Sequence, residues 1–324
     1  MLARKNVNRK LFSILRTSFD WAFGVYLLLL LVSCLNGRSR LLEITTHFKL
    51  QYFACALIFG VVFGARRAWR RCAIAGLCLL LSGSSLVGWY VKPSVKVDAT
   101  PNKPLRLLLA NVLYDNDRYQ AVLELVRREN PDLIFFQEFT GSWERETREL
   151  RGAYPFGLIE TRNGAGGIAA LSRLPLRKAE VVDTGNYLGP TLQLELQVGE
   201  HPLTIVSAHP PPPNARGFDG RNQQLQRLAE LMRALPEPKV LIGDLNTTVW
   251  SPYLKDFTAH SGLRNTRQGV GLVPTWPMIW YLWPMQIGID QCFVSPDLRV
   301  VNLQAGPDIG SDHLPLLVDL AVPR

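Results

Sequence analysis

Cysteine is scarce in this 324-residue chain: of five, Cys34, Cys55, Cys72 and Cys78 lie in apolar N-terminal stretches and Cys292 stands alone. No paired thiolate spacing exists, so neither a disulfide framework nor a thiolate metal site is encoded, and metal chemistry must use oxygen and nitrogen donors. A glycine-rich phosphate loop of the P-loop or dinucleotide type is missing as well. A net positive charge is missing from the C-terminal two-thirds. Residues 104–324 hold 21 Lys and Arg against 24 Asp and Glu, a net −3, whereas residues 1–103 hold 15 against three, a net +12. The overall +9 therefore belongs to the N-terminal third. A domain that grips long nucleic acid carries a basic surface of its own. Nucleic acid is not the favoured partner, although a local basic patch stays open.

What the N-terminal third does have is apolar length. Residues 72–91 run twenty positions without a charge, close to what spans a hydrocarbon core. Residues 21–35 form a shorter, denser run, and residues 52–65 need the flank from Phe48 to reach across. Three runs in succession argue against a cleavable signal peptide. Arg4, Lys5, Arg9, Lys10 and Arg16 precede the first run, and Arg66, Arg67, Arg70 and Arg71 lie between the second and third. The positive-inside rule places both groups in the cytoplasm, so three spans leave everything after Tyr90 extracytoplasmic. The expected organisation is a membrane anchor over 1–91 with about three transmembrane helices, a proline-bearing linker over 92–103, and a catalytic domain over 104–324.

In that domain short apolar runs alternate with loops: 105–110, 132–136, 167–171, 191–198, 203–208, 240–242, 292–294 and 314–320 read as strands. Helical spacing appears at 119–128 and 222–234. Strands dominate and helices intervene irregularly, which argues for an α+β fold with a large sheet core. Polar residues gather where those runs end: Asn111, Glu138, His209, Asp244 with Asn246, Asp290, and Asp312 with His313. Groups at neighbouring strand ends converge on one spot. Carboxylates brought together there repel unless a cation or protons neutralise them, and a hard cation such as Mg²⁺ is the natural partner.

The most specific motifs are Ile242-Gly243-Asp244-Leu245-Asn246 and Ser311-Asp312-His313-Leu314-Pro315, supported by Phe135-Phe136-Gln137-Glu138 and Val206-Ser207-Ala208-His209. Their order and wording resemble the endonuclease/exonuclease/phosphatase superfamily across almost all of residues 105–321. The resemblance implies a four-layer α/β sandwich, two packed mixed β-sheets flanked by helices, following the transmembrane helices. It implies Mg²⁺, with Mn²⁺ as a substitute, held by Glu138 with Asn111 beside it and with Asp244 and Asp312 as further ligands. Asp244 and Asn246 would position and activate water. His313, oriented by Asp312, would act as general base or stabilise phosphorane charge. His209 would contact phosphate or protonate the leaving group, and Asp290 would support the His313 end.

Three features depart from the better-known branches. Gln291 follows Asp290 where many relatives have His or an aromatic residue, which alters that wall of the site. The segment Thr247-Thr248-Val249-Trp250 lacks the Arg often found in inositol phosphatases, and the Asn111 motif differs from the abasic-endonuclease version. These point to a membrane-attached bacterial branch at the inner membrane. Asp115 and Asp117 read as turn formers, His201 and His260 as structural, and Arg221 as either a phosphate contact or a solvent-facing helix residue. Residues 269–289 carry no charge but hold Trp276, Met278, Trp280, Tyr281, Trp283 and Met285. Pro274, Pro277 and Pro284 exclude a membrane helix there, leaving a packed loop or a hydrophobic flap that meets a membrane or a lipid-like substrate. The expected activity is metal-dependent hydrolysis of a phosphodiester or phosphomonoester. A DNA nuclease and a non-catalytic binding module of the same fold stay open as alternatives, and protein partners are not legible.

Overall fold

Leu105, Leu107 and Leu109 alternate with Leu108 and Ala110, so a strand through them is apolar on both faces and must be covered on both. The computed structural model describes residues 2–35, 37–91, 102–185, 188–199 and 201–323, and it divides into two compact units, Met1–Val87 and Gly88–Arg324. In the second unit, β1 (Asn102–Asn111) turns Leu105, Leu107 and Leu109 towards a core between two sheets. It turns Leu108 and Ala110 towards α5 (Tyr119–Glu129), where Val122, Leu125 and Val126 receive them.

The strands that follow are β2 (Leu133–Gln137), β3 (Phe156–Glu160), β4 (Ile168–Ser172), β5 (Leu176–Val182), β6 (Thr191–Val198) and β7 (His201–Ser207), then β8 (Lys239–Asp244), β9 (Arg264–Asn265), β10 (Asp290–Val294), β11 (Arg299–Ala305) and β12 (Leu316–Pro323). The first sheet has the order β11-β12-β1-β2-β4-β3 and the second β5-β6-β7-β8-β10-β9. Outside the first sheet, α6 (Gly141–Glu146) adds Trp143 to the same core as α5, and outside the second, α7 (Phe218–Ala234) and α8 (Pro252–Ser261) cover Val206, Leu241 and Phe293. The result is the expected sandwich, helix on sheet on sheet on helix. Its three cores draw only on residues between Leu105 and Val322, which is what an independently folding unit requires.

Each sheet contains one parallel pair, β1 with β2 and β7 with β8. The carboxyl ends of parallel neighbours open on the same edge, so two such pairs packed face to face present four chain exits to one rim. Two antiparallel strands start at that rim. β12 begins beside the end of β1, and β10 runs against β8 with Asp290 opposite Asp244. The domain boundary differs from expectation by a few residues: β1 starts at Asn102, inside the expected linker, and residues 92–101 lie outside the described residues.

In the N-terminal unit α1 (Leu2–Cys34) and α4 (Trp69–Val87) contain segments long and apolar enough to cross a membrane, at Lys10–Cys34 and Trp69–Val87. The middle run differs from a simple span. It is divided between α2 (Arg40–Thr46) and α3 (Lys49–Ala65), which meet at 62°, so a third span exists only if the bent pair counts as one. Phe19 and Phe23 of α1 pack edge-on against Phe63 of α3, and Asp20 pairs with Arg66 and Arg71 across the turn into α4.

Gly243 marks the tightest approach in the second sheet. A Cβ there would lie 1.9 Å from the Ala208 carbonyl oxygen and 2.7 Å from the Gln137 amide nitrogen. Backbone has to move to admit it, so Gly243→Ala should destabilise the 88–324 unit by roughly 1–3 kcal/mol in urea unfolding. Gly152→Ala, whose new methyl meets nothing within 4 Å, should leave the midpoint in place.

Candidate active site

Four chain exits supply the site. Asn111 closes β1, Glu138 follows β2, His209 lies two residues past β7, and Asp244 closes β8. From the other direction Asp290 opens β10, and Asp312 and His313 precede β12. The structure thus brings all eight expected residues, Asn246 included, to one rim of the sandwich.

Asp244 is the buried hub. Its Oδ1 accepts from the Asn246 backbone N–H at 2.8 Å, an Asx-type turn. Its Oδ2 lies 3.5 Å from His209 Nε2 and 3.6 Å from His313 Nε2, and accepts from Asn111 Nδ2 at 3.3 Å. Burial alone would raise this carboxyl; the two imidazoles and the Asn246 N–H outweigh it and hold the acid below its ordinary range. His209 shows the converse balance: burial pushes it down, but Asp244 and Glu138 lift it above the usual imidazole value.

His313 is oriented by Asp290 rather than by Asp312, a correction to the expectation. Its Nδ1 donates to Asp290 Oδ2 at 2.9 Å, leaving Nε2 facing Asp244, whereas Asp312 Oδ1 is 4.0 Å away from Nε2. Antiparallel register explains this, because Asp290 stands directly across from Asp244 and both carboxylates meet the incoming His313. Asp312 instead accepts from Trp276 Nε1 at 3.0 Å through Oδ2 and from the Met278 N–H at 2.7 Å through its carbonyl. It ties the aromatic segment to the site.

Glu138 is the acid without a fixed positive partner of comparable strength. Asn111 Nδ2 donates to its Oε1 at 3.1 Å and the Tyr114 N–H to its Oε2 at 3.2 Å. Burial still holds its pKa above the normal carboxylate range, with His209 only partly offsetting it. A divalent cation would reverse that burial penalty. Asp244, Asp290 and His313 also place ligand atoms within 4.8 Å of one another, but there the imidazole already balances the acids. Glu138 and the buried, hydrogen-bond-free Oδ1 of Asp312 are hard oxygen donors that fit Mg²⁺ or Mn²⁺, whereas Asn111 turns its amide nitrogen to Glu138 and its oxygen to the Leu113 N–H.

Backbone strain is concentrated here. Glu138 (φ 60°), Asn246 (φ 50°) and Leu113 (φ 59°) adopt left-handed conformations, which cost non-glycine residues about 1–3 kcal/mol each. Supporting hydrogen bonds hold two of them: Asn111 Oδ1 accepts from the Leu113 N–H, and Asn246 Nδ2 donates to the Pro210 carbonyl.

Several supporting residues were not legible beforehand. Gln137, fully buried, donates from Nε2 to the Ala208 carbonyl and accepts the Asp244 N–H on Oε1, joining the two sheets beneath the site. The signal was an amide closing an otherwise apolar strand. Arg221 is neither a phosphate contact nor solvent-facing. It is buried, stacks near Phe218 and Tyr253, and donates to the Asn246 carbonyl at 3.1 Å. Gln291 does not form a wall of the site. It points into the helix-side layer, accepting from Asn265 and Arg267 and donating to the Thr247 and Gly288 carbonyls. Arg267, wholly buried, donates to the Asp290 carbonyl from the same network.

For His313, burial acts downward, but the Asp290 and Asp244 carboxylates raise its pKa to about 10 in metal-free protein. A raised folded pKa stabilises fully below the unfolded imidazole value and is lost as pH climbs through the folded one. Metal-free 88–324 should therefore lose stability between about pH 6.5 and 10. Asp290→Asn should flatten that decline, read as urea midpoints across the same range.

A family model described as the Endonuclease/Exonuclease/phosphatase family matches residues 108–313. No curated protein matches. Among solved structures, D. rerio TDP2 complexed with single strand DNA product is similar at 15% identity and a TM-score of 0.58, over 68% of this chain and 99% of that one. The endonuclease/exonuclease/phosphatase from Bacteroides vulgatus is similar at 17% and 0.58, over 68% and 99%. The one from Beutenbergia cavernae is similar at 20% and 0.53, over 68% and 72%. These likenesses carry the fold, and the family model, spanning well over half of the sequence, carries membership: the chain belongs to the endonuclease/exonuclease/phosphatase family.

Proposed function

We propose that the 88–324 unit is a divalent-metal-dependent phosphoesterase, hydrolysing a phosphodiester or phosphomonoester by direct attack of water. The observation that carries this reading is the convergence of Glu138, Asp244, Asn246, Asp290 and His313 at one rim, with Asp244 held ionised between two imidazoles. Members of this family generally act on phosphoester bonds.

In this reading Glu138 would be the principal ligand of Mg²⁺, with Asn111 beside it and Asp244 and Asp312 as further ligands. The ion would neutralise charge developing on the phosphoryl group and leaving oxygen. Asp244 and Asn246 orient the attacking water. His313, fixed through Nδ1 by Asp290, presents Nε2 to a phosphoryl oxygen, and His209 serves the leaving-group side. A nuclease reading draws on the TDP2 neighbour crystallised with a DNA product. The net negative charge of residues 104–324 speaks against it.

The 88–324 unit should turn over aryl phosphodiester or monoester reporters with Mg²⁺ or Mn²⁺ and fall silent in chelator. Glu138→Gln and Asp244→Asn should each lower kcat/KM by about 10²-fold or more. Turnover that survives chelator, or either substitution, removes the proposal. Plasmid cleavage outpacing every small reporter would establish the nuclease instead.

The apolar helices serve, in the same proposal, as a multi-pass anchor in a bacterial-type inner membrane. The basic N-terminus and the cluster Arg66, Arg67, Arg70 and Arg71 would lie inside and the catalytic unit outside. A C-terminal alkaline phosphatase fusion should then be active in a bacterial host and a fluorescent-protein fusion dark. The opposite pattern would mean that the α2–α3 pair does not cross.

A further inference from the structure

The segment from Thr275 to Ile287 is a small hairpin whose base is fixed and whose tip is exposed. At the base, Trp276 and Ile287 form an antiparallel bridge, Trp276 Nε1 donates to Asp312 Oδ2, and the Leu314 N–H donates to the Thr275 carbonyl. At the tip, Trp280–Met285 forms a 3₁₀ turn that buries none of its residues. Trp280 is 87% exposed, Trp283 67%, Tyr281 62% and Met285 40%. Side chains three apart eclipse in a 3₁₀ turn, so Trp280 and Trp283 share one face. Tyr281 packs edge-on against Trp280 at 5.6 Å, which fixes the cluster's shape.

Exposed apolar surface of this density needs an occupant. A protein partner large enough for stable association engages about 20–30 residues a side, and this tip offers six. A bilayer interface needs far fewer. Trp and Tyr are the side chains that settle at headgroup level, and an uncharged stretch avoids the cost of burying ions there. The apolar helices, in the anchor proposed above, also supply the bilayer. The last apolar helix ends at Val87 and β1 begins at Asn102, so covalent geometry keeps β1 within about 50 Å of that helix end. Tethering raises the effective concentration of lipid at the tip, so a small inserting surface suffices.

We propose that the Trp280–Met285 tip inserts into the headgroup region of the membrane that anchors the chain, holding the Asp312 corner of the site at the lipid surface. The site's being a phosphoesterase and the anchoring of the chain both rest on the preceding reading; the affinity of the tip for a lipid surface does not. Trp276 and Asp312 make the link rigid, so docking of the tip sets the height of the site above the lipid.

The test uses the 88–324 unit, vesicles of phosphatidylcholine and phosphatidylglycerol, and the double variant Trp280→Ser/Trp283→Ser. Both tryptophans are exposed, so the fold should survive, and circular dichroism checks it. The parent unit should sediment with vesicles and blue-shift its tryptophan emission. The double variant should bind at least tenfold more weakly while hydrolysing a soluble phosphodiester reporter within twofold of the parent. Equal binding by both proteins overturns the proposal, as does absence of binding by the parent or binding abolished in both by high salt. Self-association of the parent that the variant loses, without vesicle binding, would give the tip to a second protein and overturn it too. Tip-dependent binding without reporter turnover upholds the membrane contact and rejects the hydrolase reading.

Discussion

A buried negative charge organises the catalytic unit. Asp244 closes a strand whose six residues are all buried, and an isolated carboxylate there would cost several kcal/mol. Everything near it is arranged to make that charge tolerable. The chain turns back so that the Asn246 N–H reaches Oδ1, two imidazoles face Oδ2, and the Asn111 amide adds a fourth contact. The Asn246 turn is in turn held by the buried Arg221 and by Pro210. Removing the carboxylate would therefore leave oriented donors with nothing to meet, which is why the same residues serve stability and chemistry.

The sandwich makes this possible through its two parallel pairs. A sheet of antiparallel hairpins returns each strand from the edge it has just reached. Pairing β1 with β2 and β7 with β8 instead sends both members of each pair out at one rim. Gln137 then fixes the two rims against each other, its amide spanning from the end of β2 to the Ala208 carbonyl and the Asp244 N–H. Both of its polar ends are satisfied, so the bridge is specific as well as buried. Gly243 lets the strands close to the distance that this bridge requires.

The central strands and the site were legible in the sequence because both leave strong local signals. β1, β2, β4, β6, β7, β8, β10 and β12 are sheet-interior strands, and their apolar runs stood out. The strands without such a run, β3, β5, β9 and β11, are the four sheet edges. β5, for instance, buries none of its residues fully: Arg177 and Lys178 are exposed and Glu180 is half-buried. Charges of that kind guard an open edge and erase the apolar run that would have announced the strand. The site residues were visible because each interrupts an apolar run at its end. Which carboxylate holds His313 was not visible, since Asp312 is its neighbour in sequence and Asp290 only through the register of β10 on β8. Arg221 and Gln291 misled for a related reason. A polar side chain signals function only if it points at the rim, and both point into helix-side packing.

Asp312, freed from orienting His313, has another consequence. Its carboxylate divides between two environments: Oδ2 bound by Trp276, and Oδ1 buried at the site without a hydrogen bond. An unsatisfied buried carboxylate oxygen is costly unless something arrives to meet it. A divalent ion or a protonated leaving group would do so, and either arrival would act on a carboxylate already oriented by the indole. The aromatic segment is thus not an appendage beside a completed site. Its base supplies one of the hydrogen bonds that aim a candidate ligand, so the hairpin and the catalytic rim form one structural element.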